Sequence, residues 1–249
     1  MLGANERAEL RQFPLFTALD DDALVRVGAT TVVQHYDRGE VMAIEGERGG
    51  SLRCVQSGLV KLSTTSADGR ELVLRLVPAG QSFNLVAVVD GQPSGATATA
   101  LDPTTIYAVP REALRWLITN IPAFVQAALA TLAADTRDLT ALAKDLGLYH
   151  VSVRLARLLL DQERCSCEVC RHHYLTQQEM AAIVGTGREV VGRTLHEFQA
   201  AGIVDLRQGH VVVLDAARLR ALARGSVATR SRTRQRVSVV ERPRPRTPA

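Results

Sequence analysis

Between Leu175 and Gly202 the apolar residues occur at helical spacing in two short runs, which are separated by a break. This pattern predicts two short amphipathic helices around a tight turn, and the following segment IVDLRQGHVVVL predicts a β-hairpin. Two such helices followed by a hairpin form a winged helix-turn-helix. The apolar positions that define the two helices are Met180, Ile183, Val184, Val191, Leu195 and Phe198.

Polar residues and glycines mark where these helices begin and end. Thr176 is placed to N-cap the first helix, and Glu179, three residues later, completes a capping box. We expect Gly185 and Gly187 to bracket the turn, where a positive φ angle is needed. Gly202 is predicted to end the second helix as its C′ glycine.

The outward face of the second helix is charged near its N-terminal end, where Arg188, Glu189, Gly192 and Arg193 lie together. A helix docked in the major groove of DNA presents this end to the base edges. Arginine can bind O6 and N7 of guanine, and a carboxylate can accept a hydrogen bond from N4 of cytosine. The pattern therefore predicts that the chain reads double-stranded DNA containing G·C pairs, and the alternative is an ordinary solvated helix face.

Short apolar segments separated by turn residues fill the chain between about residues 10 and 110. The turn signals ERGG, SADG and PAGQ separate segments rich in β-branched residues. This spacing is typical of an antiparallel barrel or roll. The predicted strand segments are EVMAI, LRCVQ, LVKLST, ELVLRLV, ATATAL and TIYAV.

A long helical segment, Leu114–Leu146, follows the predicted strands, and its apolar residues alternate at three- and four-residue spacing. This heptad seam favours a parallel homodimeric coiled coil over a helix docked on its own domain, which would show a wider apolar stripe. Asp135 is the one polar residue on the seam, and Gly147 is expected to end the helix and form a hinge. The predicted dimer interface consists of Ile121, Val125, Ala128, Leu132, Leu139, Leu142 and Leu146.

Three motifs together resemble the CRP/FNR superfamily of transcriptional regulators. They are RE-x-x-x-R on the second helix, LTQQEMAAIVG before it and AAGIVDLRQGHVVVL after it. The spacing of the glycines in the N-terminal half also resembles the family's cyclic-nucleotide-binding β-roll. The resemblance implies an α+β chain with a β-roll sensor domain at 1–113, a dimerisation helix at 114–146 and a winged helix-turn-helix DNA-binding domain at 147–225. These glycines are Gly39, Gly46, Gly58, Gly69 and Gly80.

The resemblance also assigns roles to individual residues. It implies that Arg188, Glu189 and Arg193 read a TGTGA-like half-site in a palindrome, with RNA polymerase as the protein partner. Gly187 stands where the family usually has a serine, which puts one phosphate contact in doubt. The residues expected to face DNA phosphates are Thr176, Gln178, Thr186, Gly209 and His210.

The ligand positions of the β-roll depart from the family pattern. A cyclic nucleotide is held there by a Gly-Glu pair for the ribose and an Arg-Ser pair for the phosphate. The corresponding pairs in this chain are Phe83-Asn84 and Ser94-Gly95, and no lysine or arginine lies between positions 81 and 101. A buried phosphate would be unpaired. We therefore predict that cyclic AMP does not bind, and that the β-roll holds a neutral or apolar effector or serves only as a scaffold.

A dense cysteine and histidine cluster, CSCEVCRHH, precedes the helix-turn-helix. In an intracellular protein such a cluster indicates a metal or redox site more often than a disulfide framework. Zinc or an iron–sulfur cluster would fit these ligand types, so the predicted input is redox, metal, oxygen or nitric oxide. A thiol–disulfide switch, functionally neutral cysteines and a thiol oxidoreductase remain alternatives. The candidate ligands are Cys165, Cys167, Cys170, His172 and His173.

Charge is concentrated at the C-terminal end of the 249-residue chain, whose net charge is +4. After Gly225 there are seven arginines and one glutamate, so the last 24 residues carry +6 and the rest −2. We expect 226–249 to be a disordered basic tail that either adds salt-sensitive DNA affinity or only improves solubility. No apolar run has membrane-spanning length and no signal-peptide or catalytic motif stands out, which predicts a cytoplasmic regulator and not an enzyme.

Overall fold

The computed structural model describes residues 2–48, 50–164, 175–207 and 210–225. The helices are α1 (Ala4–Leu10), α2 (Asp21–Thr30), α3 (Leu85–Asp90), α4 (Arg111–Asn120), α5 (Pro122–Leu148), α6 (Val151–Arg164), α7 (Gln177–Val184), α8 (Arg188–Ala200) and α9 (Ala216–Ala223). The strands are β1 (Val32–Tyr36), β2 (Val41–Ala43), β3 (Ser51–Ser57), β4 (Leu59–Thr65), β5 (Glu71–Pro78), β6 (Ser82–Phe83), β7 (Thr97–Ala100), β8 (Thr104–Pro110), β9 (Val204–Arg207) and β10 (His210–Val213).

The N-terminal half is the predicted antiparallel β-roll. One sheet has the strand order β1-β8-β3-β6 and the other has the order β2-β7-β4-β5, with every pair antiparallel. Val55, Val60, Val77 and Ile106 are fully buried in the core of the roll. Burying these side chains between the two sheets provides the hydrophobic stabilisation of the roll.

A second apolar core joins the helices to strands β3 and β8. Leu10, Phe16, Leu114, Leu117 and Phe124 are fully buried there, together with residues from both strands. The rings of Phe16 and Phe124 lie with their centroids 6.0 Å apart. This packing fixes the beginning of α5 against the roll of its own protomer.

The predicted single helix Leu114–Leu146 is two helices in the structure, so the prediction was wrong. The predicted start lies within α4, the chain breaks at Ile121, and α5 ends at Leu148. Helices α4 and α5 meet at Ile121 with a bend of 115°. Pro122 is the first residue of α5, and the proline ring disfavours a helical conformation for the residue before it, which has φ −123° and ψ 92°. Gly147 does not end the helix, which continues to Leu148 before Tyr149 becomes extended.

The two faces of α5 have different surroundings. Ala128 is only 6% exposed because it lies in the core of its own protomer, and Ile121 and Leu132 pack against the same core. By contrast, Leu129 is 61% exposed and Leu139 is 51% exposed. The first part of the predicted dimer seam therefore faces the core of its own protomer. The exposed apolar face of α5 passes through Leu129, one position after the buried Ala128.

The C-terminal half is the predicted winged helix-turn-helix. Helices α6, α7, α8 and α9 share one core, in which Leu155, Val191, Leu195 and Leu219 are fully buried. Strands β9 and β10 form an antiparallel hairpin with Val204 opposite Val213. This shared core holds α8 on the surface with its polar face outward, next to the hairpin.

Candidate nucleic-acid interface and effector cavity

The first helix of the motif is capped as predicted. The Thr176 hydroxyl accepts a hydrogen bond from the Glu179 N–H at 3.2 Å, and the Glu179 carboxylate accepts one from the Thr176 N–H at 2.7 Å. Both side chains of the capping box are thereby used to satisfy N–H groups at the helix end. The Thr176 and Gln178 side chains remain exposed at this end of the motif.

The turn between α7 and α8 requires one left-handed residue rather than two. Gly185 ends α7 with φ +66°, as predicted. Gly187 has φ −82° and ψ 150°, because it is the N-cap of α8 and an N-cap is extended. The expectation of a positive φ at Gly187 was therefore wrong, whereas Gly202 has φ +69° just after α8, as predicted.

The charged face of α8 is exposed. Val191, Leu195 and Phe198 are buried inward, and the side chains of Arg188, Glu189 and Arg193 lie in solvent on the other side. Within the described residues, none of these three charged side chains makes a hydrogen bond or an ion pair. They are therefore available to an external ligand without first breaking an internal contact.

Helices α7 and α8 approach closely at Gly192. A Cβ atom added at this position would lie 3.3 Å from the Gln177 side-chain oxygen. Gly192 also lies beside Arg188, Glu189 and Gln177 in a shallow depression at the start of α8. Because Gly192 has no side chain, the backbone is uncovered beside the exposed charged side chains of α8.

The other residues predicted to contact phosphates are Thr186, Gly209 and His210, and they do not share one surface. Thr186 is half-buried and lines a cavity of about 340 Å³ with Arg70, Leu72 and Leu146. His210 is half-buried at the start of β10, opposite Arg207, whose side chain pairs with Asp205 at 2.6 Å. Gly209 lies outside the described residues. The structure therefore brings Thr176 and Gln178 to the exposed surface near α8 but places Thr186 against the β-roll hairpin.

The turn of the motif also contacts the long helix. A Cβ atom added at Gly185 would lie 2.5 Å from a methyl carbon of Leu146 and 3.2 Å from one of Leu72. Arg154 of α6 donates a hydrogen bond to the Val184 carbonyl at the same place. Desolvation lowers the pKa of the Arg154 guanidinium from its ordinary value. The helix-turn-helix is thus packed tightly against both α5 and strand β5.

Sequence reasoning missed Arg157, which joins four elements. Its guanidinium forms an ion pair with Asp145 of α5, stacks 4.0 Å from the ring centre of Tyr149, and donates through Nε to the Ala223 carbonyl at 2.9 Å. These contacts connect the end of α5, the linker after it, α6 and α9. A single arginine on an amphipathic helix carries no sequence signal for such a role.

A cavity of about 330 Å³ lies between the β-roll and α5. The Asp135 carboxylate lies at this cavity and forms an ion pair with Arg75 of β5 at 2.5 Å. Burial raises the pKa of the Asp135 carboxyl, and Arg75 opposes this effect. The cavity is lined by Leu62, Leu74, Arg75, Phe83, Asn84, Leu85, Val86, Ala87, Pro93, Ser94, Gly95, Ala96, Ala98, Asp135, Asp138 and Leu139.

The predicted metal ligands Cys165, Cys167, Cys170, His172 and His173 lie outside the described residues. Within the residues that the structure describes, no group of three or more histidine, cysteine, aspartate or glutamate side chains is arranged to hold a metal ion. Cys54 is a buried residue of β3, as expected for a small apolar side chain, and burial raises the pKa of its thiol. Among the described helices, none alone is long and apolar enough to cross a membrane. Helices α4 and α5 taken together are long and apolar enough, by length and composition only, but the pair is bent by 115°.

Both halves of the chain match known protein families. Residues 33–120 match the cyclic nucleotide-binding domain family, and residues 153–222 match the Crp-like helix-turn-helix domain family. The CRP-like cAMP-activated global transcriptional regulator of Mycobacterium tuberculosis is 30% identical over 217 residues, covering 84% of this chain and 96% of that protein. The cyclic AMP receptor protein of Thermus thermophilus is 33% identical over 198 residues, covering 76% and 87%.

Solved structures show the same fold at lower identity. A CRP/FNR-family protein from Eubacterium rectale superposes with a TM-score of 0.75 at 22% identity, covering 86% of this chain and 99% of that one. The c-di-GMP-responsive global regulator CLP of Xanthomonas campestris has a TM-score of 0.69 at 23% identity, covering 78% and 99%. With its β-roll, long helix and exposed recognition helix, this chain belongs to the CRP/FNR family of DNA-binding transcriptional regulators.

Proposed function

We propose that the chain is a homodimeric regulator that recognises a TGTGA-like palindrome through Arg188, Glu189 and Arg193. The observation that carries the proposal is the exposure of these three unpaired side chains together at the N-terminal end of α8. A helix in the major groove presents this end to the base edges. RNA polymerase is the proposed protein partner, and the cytoplasm is the proposed location.

The chemistry of the three side chains fits a G·C-containing half-site. Each arginine can donate two parallel hydrogen bonds to O6 and N7 of a guanine, and Glu189 can accept from N4 of a cytosine. Thr176, Gln178 and His210, with Gly209 and Thr186, would contact the flanking phosphates. Phosphate contacts orient the protein on the duplex, whereas the base contacts supply the sequence preference.

The homodimer is supported by the free face of α5. This outer face consists of apolar or small residues at alternating four- and three-residue spacing, which is the pattern of a coiled-coil seam. Pairing it with a second copy would place two recognition helices in successive major grooves, about 34 Å apart. The residues of the outer face are Val125, Leu129, Thr136, Leu139 and Ala143, with Leu132 at its edge, where it also packs against the core of its own protomer.

The test of DNA recognition is fluorescence anisotropy with a labelled TGTGA palindrome at fixed salt. Arg193→Ala should weaken binding by about 1–3 kcal/mol, or roughly 5- to 150-fold. Arg115→Ala is the matched control, since Arg115 is an exposed arginine of α4, outside the helix-turn-helix, and its loss changes the net charge equally. The proposal is wrong if the two variants bind alike, or if Arg193→Ala still discriminates against a changed G·C pair as wild type does.

The input is proposed to enter through Cys165, Cys167, Cys170, His172 and His173, as zinc or an iron–sulfur cluster that responds to redox, oxygen or nitric oxide. The support is the residue types and their spacing, directly before the first helix of the motif. Metal and acid-labile sulfide content of protein purified without oxygen tests the cofactor. If replacing all three cysteines with serine leaves DNA affinity unchanged under oxidising and reducing conditions, the cluster is not the input.

A further inference from the structure

We infer that the cavity between the β-roll and α5 takes a neutral, mainly apolar small molecule and rejects the phosphate of a cyclic nucleotide. The inference rests on the proposed function only in that this ligand would be an input to the regulator. The cavity volume of about 330 Å³ is at the lower end of the range for small-molecule sites. Most of its lining is aliphatic or aromatic, which favours an apolar occupant.

The charge of the cavity opposes an anion. Its charged lining residues are Arg75, Asp135 and Asp138, which sum to −1 when all are ionised. Arg75 is already engaged on two sides, by the Asp135 carboxylate at 2.5 Å and by the Gln81 side-chain oxygen at 2.7 Å. A phosphate could recruit this guanidinium only by displacing Asp135, which would leave a partly buried carboxylate without its partner.

The neutral polar side chains of the cavity are engaged as well. Asn84 stands where a ribose-binding carboxylate is needed, and its amide N–H group donates to the Ser51 carbonyl at 3.0 Å. Its backbone has φ +70°, the only positive φ among the described residues other than glycine. Ser94 donates its hydroxyl hydrogen to the Ala96 carbonyl at 2.8 Å. The side chains at the positions expected to hold a nucleotide therefore hold the protein's own backbone instead, so the residues present do not fit the cyclic nucleotide that the family implies.

Gly95 is a lining position at which a large side chain can be added beside the cavity. Gly95 lines it and is exposed, its φ is not in the left-handed region, and an added Cβ would meet nothing within 4 Å. Gly50 has the same properties but does not line the cavity. Gly95→Trp and Gly50→Trp are therefore a matched pair that adds one indole ring either at the cavity or away from it.

Two fluorescent probes of nearly the same size, one neutral and one anionic, test how charge affects binding to the cavity. N-phenyl-1-naphthylamine is neutral, and 8-anilinonaphthalene-1-sulfonate adds a sulfonate to the same ring system. Both become fluorescent in apolar surroundings, so the full-length protein can be titrated with each in the same buffer. Cyclic AMP in millimolar excess is then added as a competitor, and DNA binding is measured separately on the same preparation.

The inference predicts saturable binding of the neutral probe, one per protomer, with affinity at least roughly tenfold above that of the sulfonate. Gly95→Trp should abolish this binding and Gly50→Trp should preserve it, and cyclic AMP should not compete. Equal or tighter binding of the sulfonate, displacement by cyclic AMP, or neutral-probe binding that survives in Gly95→Trp would each overturn it. Absence of binding to the wild type would also overturn it, whereas loss of DNA binding alone would refute only the proposed function.

Discussion

Gly185 lies where the helix-turn-helix touches both the long helix and the β-roll, so Gly185→Ala tests this packing directly. The alanine must adopt φ +66°, which costs about 1–2 kcal/mol for an L-residue. Its Cβ would also lie 2.5 Å from a methyl carbon of Leu146, and relieving such overpacking costs about 1–3 kcal/mol more. We expect a total loss of about 2–5 kcal/mol in the free energy of unfolding.

Gly202→Ala is the matched control for the cost of holding an alanine at a positive φ. Gly202 has a nearly identical φ of +69°, but an added Cβ there would meet nothing within 4 Å. The free energy of unfolding of Gly202→Ala should therefore fall only by the cost of the positive φ, about 1–2 kcal/mol. The difference between the two variants measures the steric contact between the turn and its neighbours.

The double variant Gly185→Ala with Leu146→Ala isolates the closest contact. In the Leu146→Ala background the added methyl group no longer meets Leu146, so the cost of Gly185→Ala should fall toward that of Gly202→Ala. Urea unfolding followed by far-UV circular dichroism gives each free energy. If Gly185→Ala and Gly202→Ala cost the same, or if Leu146→Ala changes nothing, the turn is not packed against α5 as described.

Five further variants, at three positions, test the stability of the fold and its DNA binding. Arg157→Met should lose about 1–3 kcal/mol in urea unfolding, and Arg157→Lys should recover only part, because lysine replaces the ion pair but not the planar stacking; full recovery would contradict the assigned contacts. Gly192→Ala should gain about 0.5–1 kcal/mol in helix propensity, which the 3.3 Å contact of its Cβ with the Gln177 side-chain oxygen reduces, and it should weaken DNA binding in anisotropy; unchanged affinity would show that DNA does not approach here. Thr176→Ala should lose about 1 kcal/mol, whereas Thr176→Asp should keep the cap and still weaken DNA binding; normal DNA affinity in the aspartate variant would remove Thr176 from the interface.

The helix-turn-helix was predictable because its signals are local. The capping box joins residues three apart, and the apolar face of α8 follows from helical spacing alone. The one error, a positive φ at Gly187, arose because a glycine can serve as an extended N-cap as well as a left-handed residue. Sequence pattern does not distinguish these two uses of glycine.

The orientation of α5 was less predictable because heptad spacing does not say which partner covers a face. Apolar residues at three- and four-residue spacing would suit either a dimer seam or the core of the same protomer, and α5 buries one apolar face in its own core and leaves the other exposed. Asp135 carried the useful signal, since a carboxylate on an apolar seam needs a partner, yet Arg75 is 60 residues away in sequence. The strands β1 and β6 were also missed, because β1 contains the polar pair Gln34-His35 and β6 has only two residues.

Leu139 belongs to two surfaces at once, since it lines the cavity and is also half exposed on the outer face of α5. In the proposed dimer, a ligand in one protomer would therefore touch a side chain that also contacts the second protomer. Occupation of the first cavity would then change the affinity of the second, and by thermodynamic linkage the effect must be mutual. The two cavities would not be filled independently, and ligand titrations of the dimer should show homotropic cooperativity, positive or negative, that is absent from a monomeric variant.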